Sequence, residues 1–119
     1  MSNVISKLCS MPRDFHLLKN KSMVQLLIES GYLNEIPLVT IETILTYLAE
    51  NPDLIIDWEN YSSDKRVSEG WYFLKRGSDW IVGYAGNPSL EQRLVFSSKF
   101  EACAEFILRE VSGIAEHAK

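Results

Sequence analysis

Two histidines, two cysteines and a run of carboxylates are the side chains that could carry chemistry in this 119-residue chain. His16 and His117 lie near opposite ends of the sequence, whereas acid–base catalysis by histidine needs a positioned partner and usually a pocket. We expect His16 to be an ordinary surface or half-buried side chain, and His117 to lie in a fraying tail. The chain also lacks CxxC, HExxH, EF-hand, GxGxxG and GxxxxGK[ST] spacings. The sequence therefore predicts no catalytic residue, no metal site and no cofactor.

The two cysteines give no stronger indication of chemistry. Cys9 and Cys103 are the only thiols, and we expect both to be reduced because the N-terminus shows no secretory signal. Cys103 falls on the apolar face of the last predicted helix, where it would act as a small buried hydrophobic residue. Cys9 falls within residues 1–17, which we expect to be loosely ordered, and it has no nearby base.

The carboxylates are concentrated in the middle of the chain. Residues 42–69 contain seven acidic side chains against Lys65 and Arg66, for a net charge of −5, whereas residues 1–41 carry +1 and residues 70–119 carry zero. The segment could be a solvated face, the acid pair of a small hydrolase, or an electronegative contact surface for a basic protein. The absence of a basic stripe argues against direct nucleic-acid binding. The candidate partner-binding residues are Asp53, Asp57, Glu59, Tyr61, Asp64 and Glu69.

Length and composition predict one domain over residues 1–119. The apolar fraction of 46% and the charged fraction of 24% are ordinary for a globular protein. No apolar run approaches the ~20 residues that a membrane-spanning helix needs. We therefore expect no membrane association and a cytoplasmic location.

Caps and apolar stripes predict three helices in the first half of the chain. Ser22 should cap the first, with Gln25 reaching back in a capping box and Gly31 closing the helix in the left-handed conformation. Thr40 should cap the second. The segment 51–53 (Asn-Pro-Asp) should open the third, in preference to a strand over 54–56. Its predicted buried side is Leu54, Ile55, Trp58 and Tyr61, with Asp53, Asp57 and Glu59 pointing away.

The second half of the chain predicts three strands and one long amphipathic helix. The strands are residues 71–76, 79–85 and 92–96, with a two-residue turn at Gly77. Alternation in the middle strand places two sets of side chains on opposite faces, and the small residues of the face containing Gly83 would let a helix approach closely. Ser98 should cap the final helix. The sequence thus predicts an α+β fold with N-terminal helices, a three-stranded antiparallel meander and a C-terminal helix packed on it.

The segment from Gly70 to Val111 resembles small immunity proteins of bacterial polymorphic toxin systems, especially those of contact-dependent growth inhibition. The resemblance lies in a Gly-Trp-Tyr-Phe run that opens the meander and in the Ala-Cys-Ala-Glu-Phe-Ile spacing at residues 102–107. It implies a cytosolic, non-enzymatic protein, a monomer or weak dimer, that binds and neutralises one toxin domain. Such toxins are often nucleases with a basic substrate groove, which an acidic surface would complement. The alternative is a small-ligand or regulatory module with a pocket between helices and sheet; a small enzyme and an assembly protein are further alternatives.

Overall fold

The computed structural model describes residues 3–18, 20–64, 70–86 and 92–118 and shows the predicted α+β fold. Five helices precede a three-stranded antiparallel sheet in the order β1-β2-β3, and a sixth helix packs on that sheet. Two short 3₁₀ turns join α3 to α4. The elements are α1 Asn3–Cys9, α2 Met11–Leu18, α3 Met23–Ser30, α4 Ile41–Glu50, α5 Leu54–Asp64, β1 Gly70–Arg76, β2 Asp79–Ala85, β3 Gln92–Phe96 and α6 Lys99–Ala118.

The predicted cap residues lie at the ends of α3 and α4, but the Gln25 side chain donates to Glu29 at 3.3 Å and does not complete the predicted capping box. The Ser22 hydroxyl accepts a hydrogen bond from the backbone N–H of Gln25 at 3.0 Å, and Gly31 closes α3 with φ of 88°. Thr40 caps α4 through a reciprocal pair of hydrogen bonds with Thr43. The helix starts and the αL stop were therefore readable from the sequence.

The N-terminal segment differs from the prediction that residues 1–17 are loosely ordered. Residues 3–18 form α1 and α2, and the side chains of Val4, Leu8 and Met11 are buried in the core. These three follow i, i+4, i+7 spacing, which buries one stripe of a helical segment. Cys9 is likewise fully buried, and its carbonyl oxygen accepts a 2.7 Å hydrogen bond from the indole N–H of Trp58. The two helices are thus docked, and the prediction of a loose segment is corrected for residues 3–17.

The helix α6 packs on the opposite sheet face from the one the sequence suggested. Phe73 of β1 pairs in register with Val82 of β2, and its ring stacks on Phe106 of α6 with centroids 5.7 Å apart. Trp80 stacks on the same Phe73 ring at 5.5 Å and is only partly buried. The helix therefore covers the face with large side chains rather than the face containing Gly83. Stacked aromatic rings bury more apolar area than a close approach to glycine would.

Trp58 of α5 lies at the centre of the core, between the N-terminal helix α1 and the helix α6. Its side chain is 0% exposed, and its ring makes edge-to-face contacts with Tyr61 and Phe106 at centroid distances of 5.5 and 5.9 Å. No helix within the described ranges is both long and apolar enough to cross a membrane.

Candidate functional site

The helix α5 carries most of the predicted contact residues, and its geometry separates them. Leu54 and Ile55 are buried, which fixes the side of α5 that faces the core. At about 100° per residue, Asp57 and Glu59 lie roughly 200° apart around the helix axis. They therefore occupy opposite flanks of α5, and they do not form one continuous patch. Asp53, just before the helix, is exposed on the flank of Asp57.

The flank with Asp53 and Asp57 faces Arg13 of α2. Arg13 Nη2 lies 3.1 Å from Asp53 Oδ2, and Arg13 Nε lies 2.8 Å from Asp57 Oδ2. The hydrogen bond to Asp53 and the charge of Asp57 together raise the pKa of Arg13 above its usual value. One guanidinium thus partly neutralises two of the predicted contact residues. The sequence reasoning missed this contact, because the spacing of Asp53 and Asp57 shows two like charges close together, which repel each other, but does not identify the cation that pairs with them.

Tyr61 is a core side chain with one edge at the surface. Its hydroxyl donates a 2.5 Å hydrogen bond to Glu110 Oε2, and its ring packs on Trp58. Burial, followed by the charge of Glu110, raises the pKa of Tyr61 well above its usual value. The phenol is therefore held in place rather than presented as an isolated surface anchor.

The remaining predicted contact residues are spread over the other flank and the end of α5. Glu59 is half-buried on the flank away from Arg13, and its charge contributes to the raised pKa of the Cys103 thiol, after burial and Cys9. Asp64 is the last residue of α5, and its side chain lies outside the described part of the structure, as does Glu69 entirely. The structure therefore brings together Asp53, Asp57 and the edge of Tyr61, and separates them from Glu59.

A groove of about 340 Å³ runs between α2 and α5 beside this ion pair. Phe15 and Leu17 of α2 are exposed along it although they are apolar, and His16 lines it as well. The groove lies between two helices, whereas the alternative reading of the sequence expected a pocket between helices and sheet. Its full lining is Pro12, Arg13, Phe15, His16, Leu17, Asp57, Asn60 and Tyr61. It therefore combines an apolar rim with one carboxylate, one guanidinium and one amide.

The thiols are placed as structural residues rather than nucleophiles. Cys9 and Cys103 are free thiols that form no disulfide with each other, and both side chains are fully buried. Burial raises the pKa of the Cys9 thiol to about 12 and that of Cys103 well above its usual value, and a reactive cysteine needs a lowered thiol pKa. Within the part of the chain that the structure describes, no three His, Cys, Asp or Glu side chains gather as a metal site would require.

The acidic surface of α4 and α5 extends beyond the groove. Between residues 42 and 64 the chain has six acidic side chains and no lysine or arginine, and Glu42, Glu50 and Asp53 are exposed. Arg13 of α2 is the only cation that forms an ion pair with this segment among the described residues. Searches with the whole chain against protein families, curated proteins and solved structures found no match.

Proposed function

We propose that the protein is a non-enzymatic inhibitor that binds a toxin domain with a basic substrate groove, as the immunity proteins of polymorphic toxin systems do. The observation that supports this most directly is the segment 42–64, where six acids are accompanied by no basic residue of the segment itself. A surface of one sign attracts a partner of the opposite sign and speeds association. A nuclease groove, which must bind phosphates, is a partner of that kind.

The ion pairs with Arg13 change which acids matter most for attraction. Asp53 and Asp57 are each in contact with Arg13, so part of their field is cancelled at the surface. Glu50, exposed at the end of α4, and Glu59 on the other flank of α5 contribute to the field without that partner. We therefore assign long-range attraction mainly to Glu50 and Glu59, and short-range contact to the groove.

The test uses the domain encoded at the end of the neighbouring upstream reading frame. If it is toxic when expressed alone, co-expression of this protein should restore growth, and titration calorimetry should give a one-to-one complex. The double variant Glu50→Lys/Glu59→Lys should associate about tenfold more slowly at low salt, with a flatter salt dependence. Glu116→Lys in α6 makes one such charge reversal outside the acidic segment and should have little effect on the association rate.

Two results would count against the proposal. Failure of this protein to protect cells from the neighbouring toxic domain, with no complex by calorimetry, would remove the inhibitor function. An association rate equally sensitive to Glu116→Lys and to the double variant would leave an inhibitor but remove the acidic segment as its contact surface.

A further inference from the structure

We propose that the groove between α2 and α5 is a receptor for one arginine side chain of the partner, and that this arginine takes over Asp57 from Arg13. The inference rests on the proposed function, because the arginine belongs to the basic partner. The inference adds that the partner group is a guanidinium and that Arg13 controls its access to Asp57.

The first support is the way in which Asp57 is held. Its Oδ2 atom is buried and receives no aligned hydrogen bond, although the Nε atom of Arg13 lies only 2.8 Å away. The same guanidinium donates a hydrogen bond to Asp53 at 3.1 Å. Arg13 therefore bridges two carboxylates with one contact to each, whereas a guanidinium binds most strongly to one carboxylate through two parallel N–H groups. Asp57 lies within the groove, and its buried Oδ2 atom is held by one ion-pair contact rather than by two parallel hydrogen bonds.

The second support is the shape and lining of the groove. A volume of about 340 Å³ equals that of about ten water molecules at ~30 Å³ each, which is room for one long side chain. Phe15 and Leu17 form an exposed apolar rim, and Tyr61 lines the groove beside Asp57. An arginine stem can lie along apolar surface while its flat head stacks on an aromatic ring. Asn60 adds an amide oxygen that can accept a hydrogen bond.

The third support is the charge balance. Two carboxylates, Asp53 and Asp57, face one guanidinium, so these three side chains carry a formal net charge of −1. One additional cation makes the site neutral. Arginine suits the site better than lysine because its fork can engage Asp57 in pairs of hydrogen bonds and its plane can stack on Phe15 or Tyr61.

Arg13 then acts as an internal competitor. A group on the same folded chain is present at an effective concentration in the millimolar range or above, so an external arginine binds only by displacing it. Replacement of Arg13 by a neutral residue should therefore strengthen the binding of an external guanidinium. If the ion pair between Arg13 and Asp57 had only a structural role, this replacement would not strengthen the binding of an external guanidinium.

The experiment uses the full chain, labelled with ¹⁵N, and the probe N-acetyl-arginine amide. The isosteric but uncharged N-acetyl-citrulline amide is the control probe. We expect saturable shifts in the millimolar range for the Asn60 side-chain amide and for the backbone of residues 15–17 with the arginine probe only. Arg13→Gln should tighten binding at least threefold, and Asp57→Asn should abolish it. Glu105→Gln, which breaks the separate ion pair with Arg109 in α6, should leave binding unchanged.

Folding of each variant is read from the dispersion of the same spectra. If Arg13→Gln is poorly folded, Asp53→Asn is used in its place. This variant removes one of the two carboxylates that contact Arg13, and it should weaken probe binding less than Asp57→Asn does. Equal shifts with the citrulline probe, shifts confined to another surface, or weaker binding by a folded Arg13→Gln variant would each overturn the inference.

The two proposals fail separately. If the arginine probe binds as expected but no toxin domain does, the groove is an arginine receptor and the proposed class of partner is wrong. If the toxin domain binds equally well to Asp57→Asn and to the unaltered protein, the inhibitor function stands and the groove is not its arginine receptor.

Discussion

The replacement Trp58→Phe tests how firmly the N-terminal helices are docked. The indole N–H of Trp58 donates a 2.7 Å hydrogen bond to the carbonyl of Cys9, which is the last residue of α1 and so has no partner within that helix. Loss of the donor leaves a buried carbonyl unpaired, which costs about 1–3 kcal/mol. The smaller ring leaves a void of roughly 40 Å³, which costs about 1 kcal/mol at ~24 cal/mol per Å³.

The expected loss of unfolding free energy is therefore about 3 kcal/mol. With an unfolding entropy of about 2.1 cal/mol/K per residue, a 119-residue chain should lose about 12 °C in Tm. Urea unfolding followed by far-UV circular dichroism measures the loss. Trp80→Phe is the matched control, because the phenyl ring can keep the stack on Phe73, and its loss should stay below about 1 kcal/mol.

Hydrogen exchange of the Trp58 indole N–H supplies a second measurement on the unaltered protein. A buried, hydrogen-bonded N–H exchanges only when the structure opens. Exchange at the rate of a free indole, or a Trp58→Phe loss no larger than that of Trp80→Phe, would refute the docking of α1 through this bond.

Three further predictions concern the buried thiols, the left-handed stop of α3 and the hydrogen bond that joins Ser62 to the middle of β1. Because burial raises the folded-state pKa of Cys9 and Cys103 above 9.0, their contribution to stability is intact below pH 9 and falls as pH rises above it. At pH 10 the loss is on the order of 1 kcal/mol per thiol, so the Cys9→Ala/Cys103→Ala variant should lose on the order of 2 kcal/mol less unfolding free energy than the unaltered protein between pH 7 and 10 in urea unfolding. Gly31→Ala should cost about 1–2 kcal/mol because its φ is +88°, with a Cβ 3.4 Å from Val4, whereas Gly113→Ala in α6 meets no atom within 4 Å and should stabilise by about 0.5–1 kcal/mol. Ser62→Ala should cost about 1–3 kcal/mol in thermal unfolding, because the Ser62 hydroxyl accepts from the Phe73 N–H at 2.7 Å.

Each of these has a result that contradicts it. Identical pH dependence with and without the thiols would mean that they titrate normally. Equal effects of the two glycine replacements would mean that backbone conformation does not separate them. An unchanged Tm for Ser62→Ala would mean that water replaces the hydroxyl at the edge of β1.

Local signals in the sequence identified most elements, because caps and periodicity act over a few residues. Ser22, Gly31 and Thr40 mark helix ends by hydrogen bonds within three or four residues. The strand order β1-β2-β3 pairs strands that are consecutive along the chain and separated by few residues. The helical nature of α5 was also readable, since its apolar positions repeat at helical spacing.

Long-range contacts were not readable in the same way. The pairing of Arg13 with Asp57 joins residues far apart in the chain, and no local pattern selects that arginine among the basic residues. The face of the sheet that α6 covers depends on whether Phe106 can stack on Phe73, which requires the packed structure. The candidate groove follows from the first of these contacts, so its residues on α2 were absent from the sequence-based prediction.

The core and the candidate site share the helix α5. The indole N–H of Trp58 donates a hydrogen bond to the carbonyl of Cys9 in the core. Asp57, the preceding residue, forms an ion pair with Arg13 at the surface. Both contacts reach α5 from the N-terminal segment 3–18, so the wall of the groove formed by α2 is fixed by the same docking that completes the core. A wall that is ordered before binding lowers the conformational entropy that this protein loses when a partner side chain binds. The N-terminal helices therefore belong to the proposed binding site, and their packing on Trp58 determines where that site lies.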